Sequence, residues 1–171
     1  PAPAPGEWVR VGAVRLSQDS APILLRLSDG HWLIEGAAPD VFKSIAHNAV
    51  IRTTAAFDAP RVQVLAYDPR LELDLAVFAG LRTISNRCVP PAITSGDAFE
   101  RALDDLLTKV AEVDDRLMAA GYGTYWTGLS AAPALVAGMP VRLLIVGSTD
   151  GLTERCLNRL DQICSLAADR G

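Results

Sequence analysis

Trp32-Leu33-Ile34-Glu35-Gly36-Ala37-Ala38-Pro39-Asp40-Val41-Phe42-Lys43-Ser44 is the stretch on which the fold turns. Trp32-Leu33-Ile34 reads as a buried strand run ending at Gly36, and Lys43-Ser44 reads as the opening of a helix to about Thr54. A strand, a loop and a helix begun by Lys-Ser is the setting of a phosphate-binding loop, G-x-x-x-x-G-K-S/T. There, consecutive backbone N–H groups curl around phosphates, while Lys and Ser/Thr reach the γ-phosphate side and Mg²⁺. Here the loop departs from that chemistry. From Gly36 to Lys43 it is one residue too long. Pro39 has no N–H to donate. Phe42 stands where glycine is needed for close backbone approach, and Asp40 adds negative charge where phosphates would lie.

On either side of this stretch, strand-like and helix-like patterns alternate. Val9 to Leu16 and Ile23 to Leu27 are short β-type runs, and Ser17-Gln18-Asp19-Ser20 between them has turn chemistry, so a hairpin is expected. Val62 to Tyr67 is a second strand, ending at Asp68-Pro69. Asp97 is a candidate N-cap. Phe99, Ala102, Leu103, Leu106, Val110, Val113 and Leu117 then recur at helical spacing, so a helix is predicted to about Ala120-Gly121. Val141 to Val146 is a third core strand after Pro140. Leu152 to Ala168 reads as a last helix with Leu157, Leu160, Ile163 and Leu166 on its core face. The alternation predicts an α/β layered sheet with mainly parallel strands.

The whole chain has 171 residues, which suits one domain with a real hydrophobic core. Pro1-Ala2-Pro3-Ala4-Pro5-Gly6 reads as a linker without an initiating Met, so residues 1–7 are assigned as linker of something longer and 8–171 as the domain. Half of the residues are hydrophobic and 21% charged, as in folded soluble proteins. The net charge of -4 argues against a broad grip on nucleic acid. Only Lys43 and Lys109 are lysines, against fourteen arginines, which makes the Lys at the helix start less easily a coincidence. Cys88, Cys156 and Cys164 form no C-x-x-C pair, so neither a zinc site nor a disulfide framework is expected; they read as small buried hydrophobes in a reducing compartment. The longest apolar runs, such as Val141 to Val146, are too short to cross a bilayer. A cytoplasmic location without direct membrane insertion is expected, any tether to the inner membrane lying outside the chain.

From Val9 onward the sequence resembles the motor domain of the FtsK/SpoIIIE-like ATPases, which include DNA translocases, conjugative transfer pumps and type VII secretion ATPases. Val11-Gly12, Pro22-Ile23-Leu24-Leu25 and Gly30-His31-Trp32-Leu33-Ile34-Glu35-Gly36-Ala37 resemble the family's entry, a small hairpin followed by H-L-L-I-A-G-A. Lys43-Ser44-Ile45, Asn48-Ala49 and Ile51 resemble its K-S-V-x-x-N-A-x-I helix. Asp68-Pro69-Arg70, Glu72-Leu73, Phe78 and Ala79-Gly80-Leu81 resemble its D-P-K-x-x-E-L-x-x-Y-x-G-L segment, the most specific part of the likeness. The helix ending at Gly121 resembles the family's long E-M-x-x-R helix. The resemblance spans about Val9 to Gly171. It implies a RecA-like three-layer fold with a small N-terminal hairpin; the family would enter another core strand where Ala168-Asp169-Arg170-Gly171 stands, so either the chain is truncated there or the last strands are supplied elsewhere.

The family's third strand ends in Asp-Glu, the Asp positioning Mg²⁺ through water and the Glu polarising the attacking water. Here the strand runs into Gly147-Ser148, and Asp150 lies three positions beyond the expected Asp. Both nucleotide motifs are therefore degenerate. Gly36, Lys43 and Ser44 are the remnant of a phosphate loop, either capping a helix or retaining some nucleotide binding, and no catalytic residue or metal ligand is assigned. If a cofactor binds at all, the resemblance implies ATP with Mg²⁺; the broken loop argues for none. Asp68, Arg70 and Glu72 are candidate contacts to a neighbouring subunit, against the plainer reading of a strand terminator with surface pairing. His31 and His47 read as ordinary packing or solvent-exposed groups. Tyr122, Tyr125 and Trp126 are either a partner-binding patch or packing under a Gly-rich loop.

The expectation is a non-hydrolysing domain serving as a structural, regulatory or partner-docking module. Its partners would be neighbouring ATPase domains or subunits of an oligomeric motor, with a secreted protein or DNA handled by the parent assembly. The alternative is a DNA translocase or type VII secretion motor domain that binds ATP and is completed by a neighbouring subunit.

Overall fold

The computed structural model describes residues 8–16, 19–26, 30–34, 38–167 and 169–171. Strands β1 (Trp8–Leu16) and β2 (Asp19–Arg26) pair antiparallel from Trp8↔Arg26 to Leu16↔Asp19, with an irregularity between Arg10 and Gly12. This is the expected hairpin; its turn at 17–18 and the linker 1–7 lie outside the described residues.

Helix α1 spans Pro39–Phe57, four residues earlier than the Lys43 start expected from sequence. Pro39 explains the difference. At the first helical position its missing N–H has no intrahelical acceptor to lose, and its fixed φ already suits a helix. The backbone N–H groups of Val41 and Phe42 then donate to the Ala38 carbonyl at 2.9 and 3.1 Å. Ala46, Ala49, Val50, Thr53 and Phe57 form the buried face of α1.

Strands β3 (Val62–Tyr67) and β4 (Val141–Val146) pair parallel, in register from Val62↔Val141 to Tyr67↔Val146. Alternation sends their side chains to two cores. Val62, Val64, Ala66, Val141 and Ile145 join Ala46, Val50 and Phe57 of α1 on one face. Leu65, Tyr67, Leu144 and Val146 pack on the other against α2 (Gly96–Ala119) and α5 (Glu154–Leu166). A parallel pair needs this double cover, because both faces of such strands are apolar. The chain is thus mixed α/β, with helices on both faces of a two-stranded parallel sheet.

The outer edge of β3 is covered. Val64 N–H donates to Cys88 O at 2.8 Å, Ile93 N–H to Ala66 O at 2.8 Å and Asp68 N–H to Ile93 O at 2.9 Å. Among the described residues β4 pairs only with β3, so its second edge is free. Residues 30–34, read from sequence as a buried strand, carry no ladder here, and Leu33 is 84% exposed. Three apolar residues make a buried strand only where a neighbouring strand accepts their backbone.

Helix α2 follows its sequence pattern closely: Phe99, Leu103, Leu106, Val110, Val113 and Leu117 are all buried. Its N-cap is Ser95, whose Oγ accepts from Ala98 N–H at 3.2 Å, while the anticipated cap Asp97 sits in the first turn and favours the helix dipole. At the far end Gly121 adopts φ +79°, so that its own N–H reaches Met118 O and Tyr122 N–H reaches Leu117 O.

Two short helices, α3 (Tyr125–Ala131) and α4 (Pro133–Val136), close the lower end of the first core. Tyr125 is wholly buried and its hydroxyl donates to Met139 O at 3.2 Å, which favours the packing reading of the aromatic cluster. A 3₁₀ segment over Leu75–Thr83 was not foreseen. In α5, Cys156 and Ile163 are the buried residues, whereas Leu157 and Leu166 are exposed, because the helix meets α2 along a narrower stripe than its apolar periodicity suggests. No helix among the described residues is long and apolar enough to cross a membrane.

Candidate functional site

The C-terminal ends of parallel strands are where α/β sheets usually receive ligands. Here that end gathers the start of α1, the loop after β3 and the loop after β4. Gly36 lies outside the described residues. Lys43 falls in the second turn of α1, with its Nζ 3.7 Å from Asp40 Oδ1. Ser44 Oγ donates to the Asp40 carbonyl at 2.7 Å, and Asn48 Nδ2 donates to the Ser44 carbonyl at 3.0 Å. Neither residue caps the helix: Ala38 is the N-cap and contributes no side-chain bond. The capping expectation for Lys43 and Ser44 is therefore corrected, because Pro39 starts the helix a full turn earlier.

The loop after β3 is organised by Asp68, only 3% exposed. Its Oδ1 accepts from Glu72 N–H at 3.1 Å and its Oδ2 from Leu73 N–H at 2.8 Å. This carboxylate folds the chain back at 68–73, holding Leu71 at φ +57° and burying Leu73. The Leu73 carbonyl in turn accepts from His47 Nε2 at 2.7 Å, which fixes the proton on that nitrogen, and the His47 ring meets Phe78 edge-on at 5.0 Å. His47 is thus a joint between α1 and the loop, a role that an isolated histidine in the sequence does not reveal.

The loop after β4 is bound to the loop after β3. Gly147 N–H donates to Tyr67 O at 2.8 Å. The Tyr67 hydroxyl donates to the Asp150 carbonyl at 2.8 Å, and Arg70 pairs with the Asp150 carboxylate. A Cβ on Gly147 would lie 3.3 Å from Tyr67 O, tighter than an ordinary contact, so the two loops cross closely at this glycine. Asp68 directly follows the end of β3 and Arg70 pairs at the surface with Asp150, whereas the Asp68 carboxylate is buried within its own loop. Glu72 is exposed.

Chemically, this end offers few free groups. The two carboxylates nearest the sheet, Asp68 and Asp150, are engaged as acceptors. Among the described residues no three His, Cys, Asp or Glu side chains converge in a metal-binding arrangement. Cys88 and Cys156 are buried and burial raises the pKa of both thiols; Cys164 is exposed, contrary to the expectation that all three cysteines are interior.

Two cavities flank the sheet. One, of about 460 Å³ and largely apolar, is lined by all six residues of β4 together with Trp32, Ile45, Leu106 and Leu160. The other, of about 430 Å³, lies at the opposite end of the strands, lined by Gln63, Arg142 and charged residues of α2. Sequence reading missed the second; its one signal is Arg142 within the apolar run Val141 to Val146. No family model, curated protein or solved structure matches the chain at a significant level.

Proposed function

We propose that the chain is a non-hydrolysing domain of FtsK/SpoIIIE-like, RecA-like type, acting as a structural, regulatory or partner-docking module beside active ATPase domains. The observation that carries this reading is the engagement of the groups that nucleotide chemistry would need. Lys43 lies beside Asp40 one turn into α1, and the Ser44 hydroxyl is bonded to its own helix backbone. Asp150, the first carboxylate after β4, is held by Arg70. Phosphoryl transfer depends on positioned Lys, Mg²⁺ and water-orienting groups; a Lys set one turn inside the helix beside a carboxylate and a Ser hydroxyl bonded to its own backbone favour a scaffold over a motor.

The fold supports the same reading. An edge of β4 left unpaired among the described residues, beside an apolar cavity, is what a larger central sheet needs where a further strand adds. The partners in this reading are neighbouring domains of an oligomeric motor, and any DNA or secreted protein is handled by the assembly.

Calorimetric titration of the chain with Mg-ATP, paired with a phosphate-release assay, tests it. We expect no turnover and no change on Lys43→Ala. Micromolar Mg-ATP affinity with turnover that Lys43→Ala abolishes would overturn the reading.

A further inference from the structure

We propose that the cavity at the N-terminal end of β3 and β4 binds a small, multiply charged oxyanion, of which inorganic pyrophosphate and phosphate are the simplest members, between Arg87, Arg116 and Arg142. The inference is independent of the function proposed above, since it concerns the opposite end of the sheet.

The lining is unusual for a chain of net charge -4. Arg87, Lys109, Arg116 and Arg142 contribute four cations to a cavity of about 430 Å³, and among the described residues Glu112 is the one carboxylate of its lining. Lys109 is already paired, with Asp105 one turn back on α2. Among the described residues, Arg87, Arg116 and Glu112 make no ion pair. Three guanidinium groups therefore face one carboxylate.

Arg142 sharpens the argument. It projects from the second position of β4, opposite Gln63, and its Nε and Nη1 are closed to solvent without a hydrogen-bond acceptor. Burial lowers its pKa, while Asp105, Tyr125 and Glu112 act to raise it without bonding to it. Arg142 is half-buried, and enclosed guanidinium nitrogens without an acceptor are costly; guanidinium is also the side chain best shaped to take two oxygens of one anion. An oxyanion in the cavity would balance the excess charge, and a turn of the Arg142 side chain toward it would give the two enclosed nitrogens an acceptor. Among the described residues the lining has no aromatic ring on which a base could stack, so the ligand class is a compact oxyanion rather than a nucleobase-bearing one.

The test is isothermal titration of the 171-residue chain with sodium pyrophosphate, and separately phosphate, at ionic strength held constant with sodium chloride. Saturable binding is expected, tighter for pyrophosphate. Arg87→Gln and Arg116→Gln, both exposed and safe for folding, should each weaken it roughly ten-fold, the loss of one charge-assisted bond. Arg142→Met should abolish it, and Lys43→Ala should leave it unchanged. The proposal is overturned if no saturable heat appears, if Arg87→Gln and Arg116→Gln bind as the unaltered chain does, or if Lys43→Ala removes the binding. Should Arg142→Met not fold, the two exposed variants decide.

Discussion

The Arg70 guanidinium is paired with the Asp150 carboxylate, joining the loop after β3 to the loop after β4 across 80 positions of sequence. Both side chains are more than half exposed, at 62% and 57%, so solvent screens the attraction. The buried member of this junction is Asp68, which supports two backbone N–H groups. The pair and the buried carboxylate should therefore differ sharply in weight.

Arg70→Ala is expected to cost less than about 1 kcal/mol, as exposed ion pairs do. Asp68→Ala leaves the N–H groups of Glu72 and Leu73 without their acceptor and should cost about 3 kcal/mol, since bonds to a charged acceptor are among the stronger ones. Urea unfolding of the two variants checks the ranking. Equal losses would show that the loop is held by its surface pair.

Gly96 opens α2, where helix propensity alone favours alanine by up to about 1 kcal/mol. A Cβ at this position would stand 2.8 Å from the Gly151 carbonyl oxygen, a backbone atom that cannot swing aside. Gly96→Ala should destabilise the fold by about 1–3 kcal/mol, the usual range for overpacking, reversing the propensity rule. Thermal unfolding of the variant reads the sign directly.

Sequence alone showed individual helices and strands better than it showed the site, for physical reasons. The α2 helix was legible because six buried residues repeat over 24 positions, more than any loop can imitate. β3 and β4 were legible as apolar runs closed by turn residues. The start of α1 was not, because Pro39 is a breaker inside a helix and an initiator at its first turn, and sequence does not say which. Residues 30–34 failed as a strand because a strand is defined by its neighbour. At the site, Lys43, Ser44 and Asp68 could be singled out, but their bonding partners Asp40, Leu73 and Glu72 follow from backbone geometry. The Arg70–Asp150 pair and Arg142's position below the sheet depend on contacts far apart in sequence, which no local pattern carries.

The three thiols should separate in reactivity. Cys164 is exposed, whereas Cys88 and Cys156 are buried. Partial burial and the neighbouring Asp161 both raise the Cys164 pKa, so it should react more slowly than a free thiol at neutral pH. Under native conditions Ellman's reagent should modify one cysteine, with the remaining two released only on unfolding. Mass mapping that finds Cys88 or Cys156 modified at the same rate would contradict the packing described for both cores.

Alkaline pH should weaken the fold, with a sign that follows from burial. Desolvation raises the Tyr125 pKa, partly offset by Arg61 and Arg142, and burial raises all three thiols. A group whose folded pKa exceeds its unfolded value keeps its proton longer in the native state. Above the unfolded values, about 8.5 for Cys and about 10 for Tyr, the unfolded chain therefore binds fewer protons than the native one. The stability contributed by these groups is complete below about pH 8 and is lost as pH rises through their folded values. Urea midpoints measured from pH 7 to 11 should be level at first and then fall. Cys88→Ala and Cys156→Ala should remove the earlier part of the decline, and Tyr125→Phe the later part. A decline that persists unchanged in the triple variant would place its origin elsewhere.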